Sequence, residues 1–152
     1  MEFHQYPKIL DLEKVPEIFV FREISATEKI HGVNWRIGVP SGALGPGDLL
    51  FGSRNETLTV ESTLMGKYVK FCLDKLPLGS IIAAANKLKG DKILFGELFG
   101  PGVQKEIRYR NEGWEFLLFD VMQGEAFLPR SELNAFASDC GLATVPEIYH
   151  GP

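Results

Sequence analysis

The sequence predicts an α+β domain built on a largely antiparallel sheet with flanking helices. Three observations carry that expectation. Val33, Trp35, Ile37 and Val39 alternate with Asn34, Arg36 and Gly38, the period-two pattern of a half-buried strand. Helical spacing recurs in two separate stretches, through Val60, Leu64, Tyr68, Phe71 and Cys72, and through Leu133, Phe136, Ala137 and Cys140. Strands and helices are interspersed without regular βαβ alternation, which argues against a parallel sheet. At 152 residues the chain is most simply one domain with a core of its own.

In order, residues 3–15 read as an irregular or helical lead-in stopped by Pro16. Residues 18–24 read as a strand, and 26–30 as another or its continuation. After His31-Gly32 comes the alternating strand, then a loop rich in glycine and proline over 40–47. A strand over 48–53 delivers Arg54 at its end, so Lys29, Asn34 and Arg54 are expected on neighbouring strand ends. A helix follows from about residue 60 to Pro77. Ser80 is a plausible N-cap for a second helix over 81–89, with Gly90 as its stop. Residues 93–99 form a buried-looking strand with one anomaly: Glu97 shares a face with Ile93, Phe95 and Phe99. A bare carboxylate there would be costly, so Glu97 needs a structural cation or a ligand. Residues 115–121 form a further strand ending in Phe119 and Asp120. A last amphipathic helix stops at Gly141, and residues 145–149 begin something extended.

Composition is that of a soluble globular chain: 45% hydrophobic and 24% charged, with eleven phenylalanines as the unusual feature. A net charge of −4 provides no global field to attract a polyanion, so any such ligand needs a local basic patch. Cys72 and Cys140 lie at apolar positions of helical patterns and read as reduced core thiols of an intracellular, cytoplasmic protein that is not secreted. No apolar run approaches the ~20 residues of a membrane span, so no membrane partner is expected. There is no Walker-type phosphate loop, dinucleotide fingerprint or nucleophile elbow. The three histidines are too scattered to suggest zinc.

What remains is an ordered set: Lys29-Ile30-His31-Gly32, Gly52-Ser53-Arg54, Phe95-Gly96-Glu97-Leu98-Phe99-Gly100 and Phe116-Leu117-Leu118-Phe119-Asp120-Val121. The first resembles the K-x-x-G motif I of the covalent nucleotidyltransferases, and the others resemble motifs Ia, III and IIIa. Glu28 to Asn34 is similar to the longer motif I of the RNA ligase 2 group of ATP-dependent RNA ligases, which includes RNA-editing ligases. The runs 100–105 and 141–146 share the family's character. The resemblance implies a nucleotidyltransferase fold, ATP-grasp-like and incomplete, with residues 1–152 as the N-terminal part of an adenylylation domain. Its RNA repair or RNA editing chemistry joins RNA 5′-phosphate and 3′-hydroxyl ends through a lysyl–AMP and an RNA-adenylate, with Mg²⁺ or Mn²⁺.

The same resemblance assigns roles. Lys29 would attack the α-phosphorus of ATP, and Arg54 and Glu97 would hold the ribose and nearby phosphate. Phe119 would stack on adenine, Glu28 would help read its edge, and Asn34 would support phosphate or metal hydration. His31 and Asp120 are further candidates, Asp120 in either a structural or a catalytic role. A set of metal ligands is not assigned. The family's motifs IV and V, an E-G strand and a K-x-K strand, have no counterpart after motif IIIa in these 152 residues. Glu112-Gly113 and Lys87-Leu88-Lys89 stand in the wrong order to serve. The expectation is therefore weak or absent self-adenylylation by this chain alone, with RNA as partner of a complete enzyme. Self-association or contact with a further C-terminal portion is also expected. A DNA ligase or RNA-capping guanylyltransferase is a second reading, disfavoured because those relatives usually carry an acidic residue at the His31 position. A non-catalytic nucleotide- or RNA-binding remnant is a third.

Overall fold

The computed structural model describes residues 1–104 and 112–152; Lys105, the end of the glycine-rich run 100–105, lies outside them. Strands are β1 Ile24–Thr27, β2 Val33–Val39, β3 Leu50–Ser53, β4 Thr57–Leu58, β5 Lys92–Phe99, β6 Glu115–Gln123, β7 Ala126–Phe127 and β8 Glu147–Gly151; helices are α1 Gly66–Lys75, α2 Leu78–Asn86 and α3 Arg130–Cys140. Six strands form one sheet in the order β4-β3-β2-β5-β6-β7, every described pairing antiparallel. β1 and β8 pair separately, also antiparallel. This is the α+β architecture expected from the mixed strand and helix patterns.

The alternation in β2 sorts the sheet into two faces. Trp35, Ile37 and Val39 join Leu94, Leu98, Phe116, Leu118 and Val121 in the main core. The helices cover that face with Tyr68, Cys72, Ile81, Ala85, Leu133, Phe136 and Cys140. Both cysteines are free and buried, and burial pushes each thiol up to about 12, which fits inert core thiols. After α2, Lys92 is fully buried and its ammonium donates to the carbonyls of Leu88 (3.1 Å) and Gly90 (2.6 Å). The cost of burying the ammonium is offset there by carbonyls of the turn between α2 and β5.

The opposite face carries Asn34, Arg36 and Gly38 of β2, cross-paired with Glu97, Phe95 and Ile93 of β5. Its neighbours in β6 are Leu117, Asp120 and Met122. Only part of this face is covered, by the N-terminal residues around Phe3 and Tyr6.

Several local expectations need correction. Of the strand expected over 18–24 only Ile24 is strand, as the first residue of β1: Pro16–Val20 is a 3-10 turn, with Phe19, Val20 and Phe21 exposed. A short 3-10 turn over Leu12–Lys14 ends at Val15, just before Pro16, and Pro16 opens the next turn, where its fixed φ is favourable. The first middle helix begins only at Gly66, because the chain before it folds back so closely that a Cβ on Gly66 would meet the Val60 carbonyl at 2.4 Å. α2 starts at Leu78, before the anticipated Ser80 cap, and Ser80 is exposed within its first turn. β3 begins at Leu50, after a 3-10 turn over Pro46–Asp48. β1 does not lie beside β2, so Lys29 is delivered by the link between two sheets.

Candidate active site

Motif I is a bridge pinned at three points. Lys29 and His31 are exposed, while Ile30 between them is buried with Phe99, Leu117 and Val145. The Glu28 amide donates to the Pro146 carbonyl at 2.8 Å. Gly32 is held on both sides: its N–H donates to Glu97 Oε1 at 3.0 Å, and its carbonyl accepts from Gln104 Nε2 at 2.9 Å. A Cβ on Gly32 would lie 2.3 Å from the Leu98 carbonyl oxygen. The glycine is therefore required by close approach to β5, and this approach sets where the neighbouring lysine emerges.

Glu97 is the anomaly the strand pattern picked out. Burial pushes its carboxyl up to about 7, partly opposed by the Gly32 amide and by the nearby charge of Lys29. Among the described residues its hydrogen-bond donor is that amide, with the Lys29 charge nearby. Asn34 is its cross-strand partner. The Asn34 Oδ1 is buried with no hydrogen-bond partner among the described residues. Arg54 is exposed in the bend after β3. The β2–β3 register pairs Trp35 with Ser53, so one step further brings Arg54 level with Asn34. Arg54 thus follows β3 at the end of the row that Asn34 and Glu97 make across β2 and β5.

Phe119 and Asp120 reach the same face through a β-bulge. Phe95 pairs with Asp120 but Gly96 pairs with Leu118, leaving Phe119 as the extra residue. Strict alternation would turn Asp120 toward the helices. With the bulge, Leu118 and Val121 enter the main core while Phe119 packs against the clusters of the other face. Asp120 accepts a hydrogen bond from the Tyr6 hydroxyl at 2.5 Å. The segment after α3 ties this bulge to motif I: Leu118 donates to Ala143 and Val145 donates to Leu118, each at 2.9 Å, before Pro146 receives Glu28.

Lys29, Asn34, Arg54, Glu97, Phe119 and Asp120 are therefore brought to one open face, and Glu28 and His31 flank the lysine. Two surface clefts, of about 480 and 530 Å³, lie elsewhere, under α3 and around Trp114; neither is lined by any of these residues. Among the described residues no three His, Cys, Asp or Glu side chains converge as a metal-binding group. The hard oxygens of Asn34 and Glu97 suit Mg²⁺ or Mn²⁺, held jointly with phosphate oxygens and water. Tyr6 was not singled out by the sequence, and Gln104 only as part of the run 100–105; their partners are 114 and 72 residues away, so no local pattern marks these contacts.

The RNA ligase family model matches residues 22–152. No curated protein matches the sequence significantly. A solved Naegleria gruberi RNA ligase with PPi superposes with a TM-score of 0.72 at 16% identity, covering 97% of this chain and 43% of that one. A mutant form of a Naegleria gruberi RNA ligase with ATP and Mn gives 0.68 at 16% identity, covering 90% and 39%. An archaeal ATP-dependent RNA ligase gives 0.72 at 22% identity, covering 97% and 38%. The chain spans less than half the length of these relatives, and at such identities the likeness concerns the fold.

Proposed function

The chain belongs to the RNA ligase family, and from that premise we propose that its open sheet face is the nucleotide-binding and adenylylation site of an ATP-dependent RNA ligase. The observation that carries this reading is the hydrogen bond from the Gly32 amide to Glu97, which joins motif I to motif III beside Lys29. In the proposed reaction the neutral Lys29 amine attacks the α-phosphorus of ATP. A P–N bond forms, the bond to the β-phosphate oxygen breaks, and pyrophosphate leaves. Arg54 and Glu97 hold the ribose and adjacent phosphate, Asn34 supports phosphate or the hydrated cation, Phe119 stacks on adenine, and Glu28 contacts its edge. His31 serves recognition beside the lysine. A bound Mg²⁺ or Mn²⁺ supplies charge neutralisation at the phosphates. The AMP then passes to an RNA 5′-phosphate, and an RNA 3′-hydroxyl displaces it.

ATP as the nucleotide is supported by solved relatives described with ATP and Mn and as ATP-dependent. RNA as the substrate is supported by the family. Taken alone, the 152 residues present the nucleophile on a face that is open on one side, and labelling is expected to be slow. Loss of one preorganised donor at such a transition state costs about 100- to 1000-fold.

Incubation with α-labelled ATP and Mg²⁺ or Mn²⁺ tests the assignment. The expected product is a faint, acid-labile label that is absent in Lys29→Ala. A label that survives Lys29→Ala overturns the role of Lys29. Rapid stoichiometric labelling of Lys29 would uphold the site and remove the claim that the chain alone is slow.

A further inference from the structure

The N-terminal residues cross the face that carries the proposed nucleotide site, although no motif includes them. Arg36, buried at the centre of β2, is their first anchor. Its Nη1 donates to the Phe3 carbonyl at 2.5 Å while its Nε donates to the Ser53 carbonyl at 2.8 Å. Its guanidinium also lies 4.2 Å from the Phe3 ring centroid. Glycines open the space beneath: a Cβ on Gly38 would meet Met1 and Phe3 side-chain atoms at 3.1 Å, and one on Gly52 would meet the Phe3 ring at 3.0 Å.

Tyr6 is the second anchor, and it lands on the bulge. Its hydroxyl donates to Asp120 Oδ2 at 2.5 Å. Its ring meets Phe119 edge-on at 5.0 Å between centroids and 82° between planes, and it meets Phe95 at 5.1 Å and Phe127 at 5.6 Å. Phe119 is only partly buried, so Tyr6 is a fixed wall against a ring that otherwise has an open side. A base stacks well only on a ring held in one rotamer, because ordering a loose ring on binding costs affinity.

We propose that Tyr6 is a positioning residue for base recognition: locked by Asp120, it holds the Phe119 ring in the orientation that receives adenine. The inference rests on the nucleotide-site reading above. It makes adenine affinity depend on the N-terminal segment, which lies outside the residues matched by the family model.

The test separates the base from the phosphates. Affinities of the 152-residue chain for ATP and for inorganic tripolyphosphate, which lacks the base, are measured by NMR titration for the wild type, Tyr6→Phe, Tyr6→Ala, Phe119→Ala and the double variant Tyr6→Ala/Phe119→Ala. Base–aromatic stacking is worth on the order of 1–3 kcal/mol, so Tyr6→Ala is expected to weaken ATP about tenfold and leave tripolyphosphate unchanged. Tyr6→Phe keeps the ring and loses the lock, and its loss should be smaller. In the Phe119→Ala background, removing Tyr6 should cost nothing further. Equal weakening of both ligands, no weakening at all, or a full additional loss in the double variant overturns the inference while the nucleotide site stands. If the wild type binds ATP no more tightly than tripolyphosphate, the nucleotide-site reading fails and this inference falls with it.

Discussion

At the residue scale, Glu97 gives the proposed site a pH signature. Its folded carboxyl is pushed from 4.5 up to about 7, with burial as the main cause. Between those values the folded chain holds a proton that the unfolded chain has released, so raising the pH through this window costs stability. Each unit corresponds to roughly 1.4 kcal/mol, and discounting for the group's residual solvent contact leaves about 1–2 kcal/mol. Glu97→Gln cannot ionise and its amide oxygen can still accept from Gly32. The variant should therefore gain about 1–2 kcal/mol over the wild type between pH 5 and pH 8. Urea melts at the two pH values measure the difference; an unchanged gap would show that Glu97 is not titrating in that window. Gly32→Ala makes a different demand. Its Cβ would sit 2.3 Å from a backbone oxygen that cannot swing aside. Overpacking of this kind typically costs about 1–3 kcal/mol, and here it also moves motif I. A lower melting temperature together with lost Lys29 labelling is expected, and wild-type labelling would contradict it. Lys29, Arg54, Glu97 and Phe119 were legible because their motifs occur in order along the chain. Glu97 was legible even singly, as a carboxylate on an apolar strand face. Gly32 was also singled out, but as the glycine of the K-x-x-G motif, whereas its steric requirement comes from β5. Close approach between distant strands leaves no local trace.

At the element scale, the decisive feature is the bulge in β6. The sequence predicted a strand over 115–121, and β6 does run over Glu115–Gln123. It could not predict that Phe119 and Asp120 share a face, because a bulge breaks the period that pattern reading relies on. Gly96 faces this irregularity from β5. A Cβ there would lie 2.3 Å from the Phe116 ring and 2.5 Å from the Leu117 carbonyl oxygen. Gly96→Ala should therefore destabilise the chain by about 1–3 kcal/mol and weaken ATP more than tripolyphosphate, since the shift falls on the strand that carries Phe119. Urea denaturation and the paired titrations check both parts; full stability with unchanged ATP affinity would mean that the bulge is not strained by a side chain at this position. The apolar run at 18–24 misled for the opposite reason. It has strand composition, but only its last residue, Ile24, pairs with another strand, and Phe19, Val20 and Phe21 are left in water. β8 was foreseen only as something extended, because its partner β1 lies more than a hundred residues earlier in the chain.

At the scale of the whole molecule, charge and surface argue in different directions. The net charge of −4 disfavours loose polyanion binding, so the RNA contact proposed above would have to be local and salt-sensitive. No described helix is long and apolar enough to cross a membrane. Yet large apolar side chains are exposed in a concentrated stretch near the N-terminus, among them Leu12, Phe19 at 75% and Phe21 at 64%. Singly exposed apolar residues are ordinary, but several in one stretch mark a surface that gains by being covered. The uncovered half of the site face adds to that surface. We predict that the 152-residue chain self-associates, with its mass by light scattering rising across a concentration series. The double substitution Phe19→Ser/Phe21→Ser should return the mass to that of a monomer. Because both side chains are already in water, the melting temperature of that variant should stay near the wild-type value, and its ATP affinity should be unchanged. A wild type that remains monomeric across the series would rule out self-association. A variant that unfolds instead would show that these rings are part of the core.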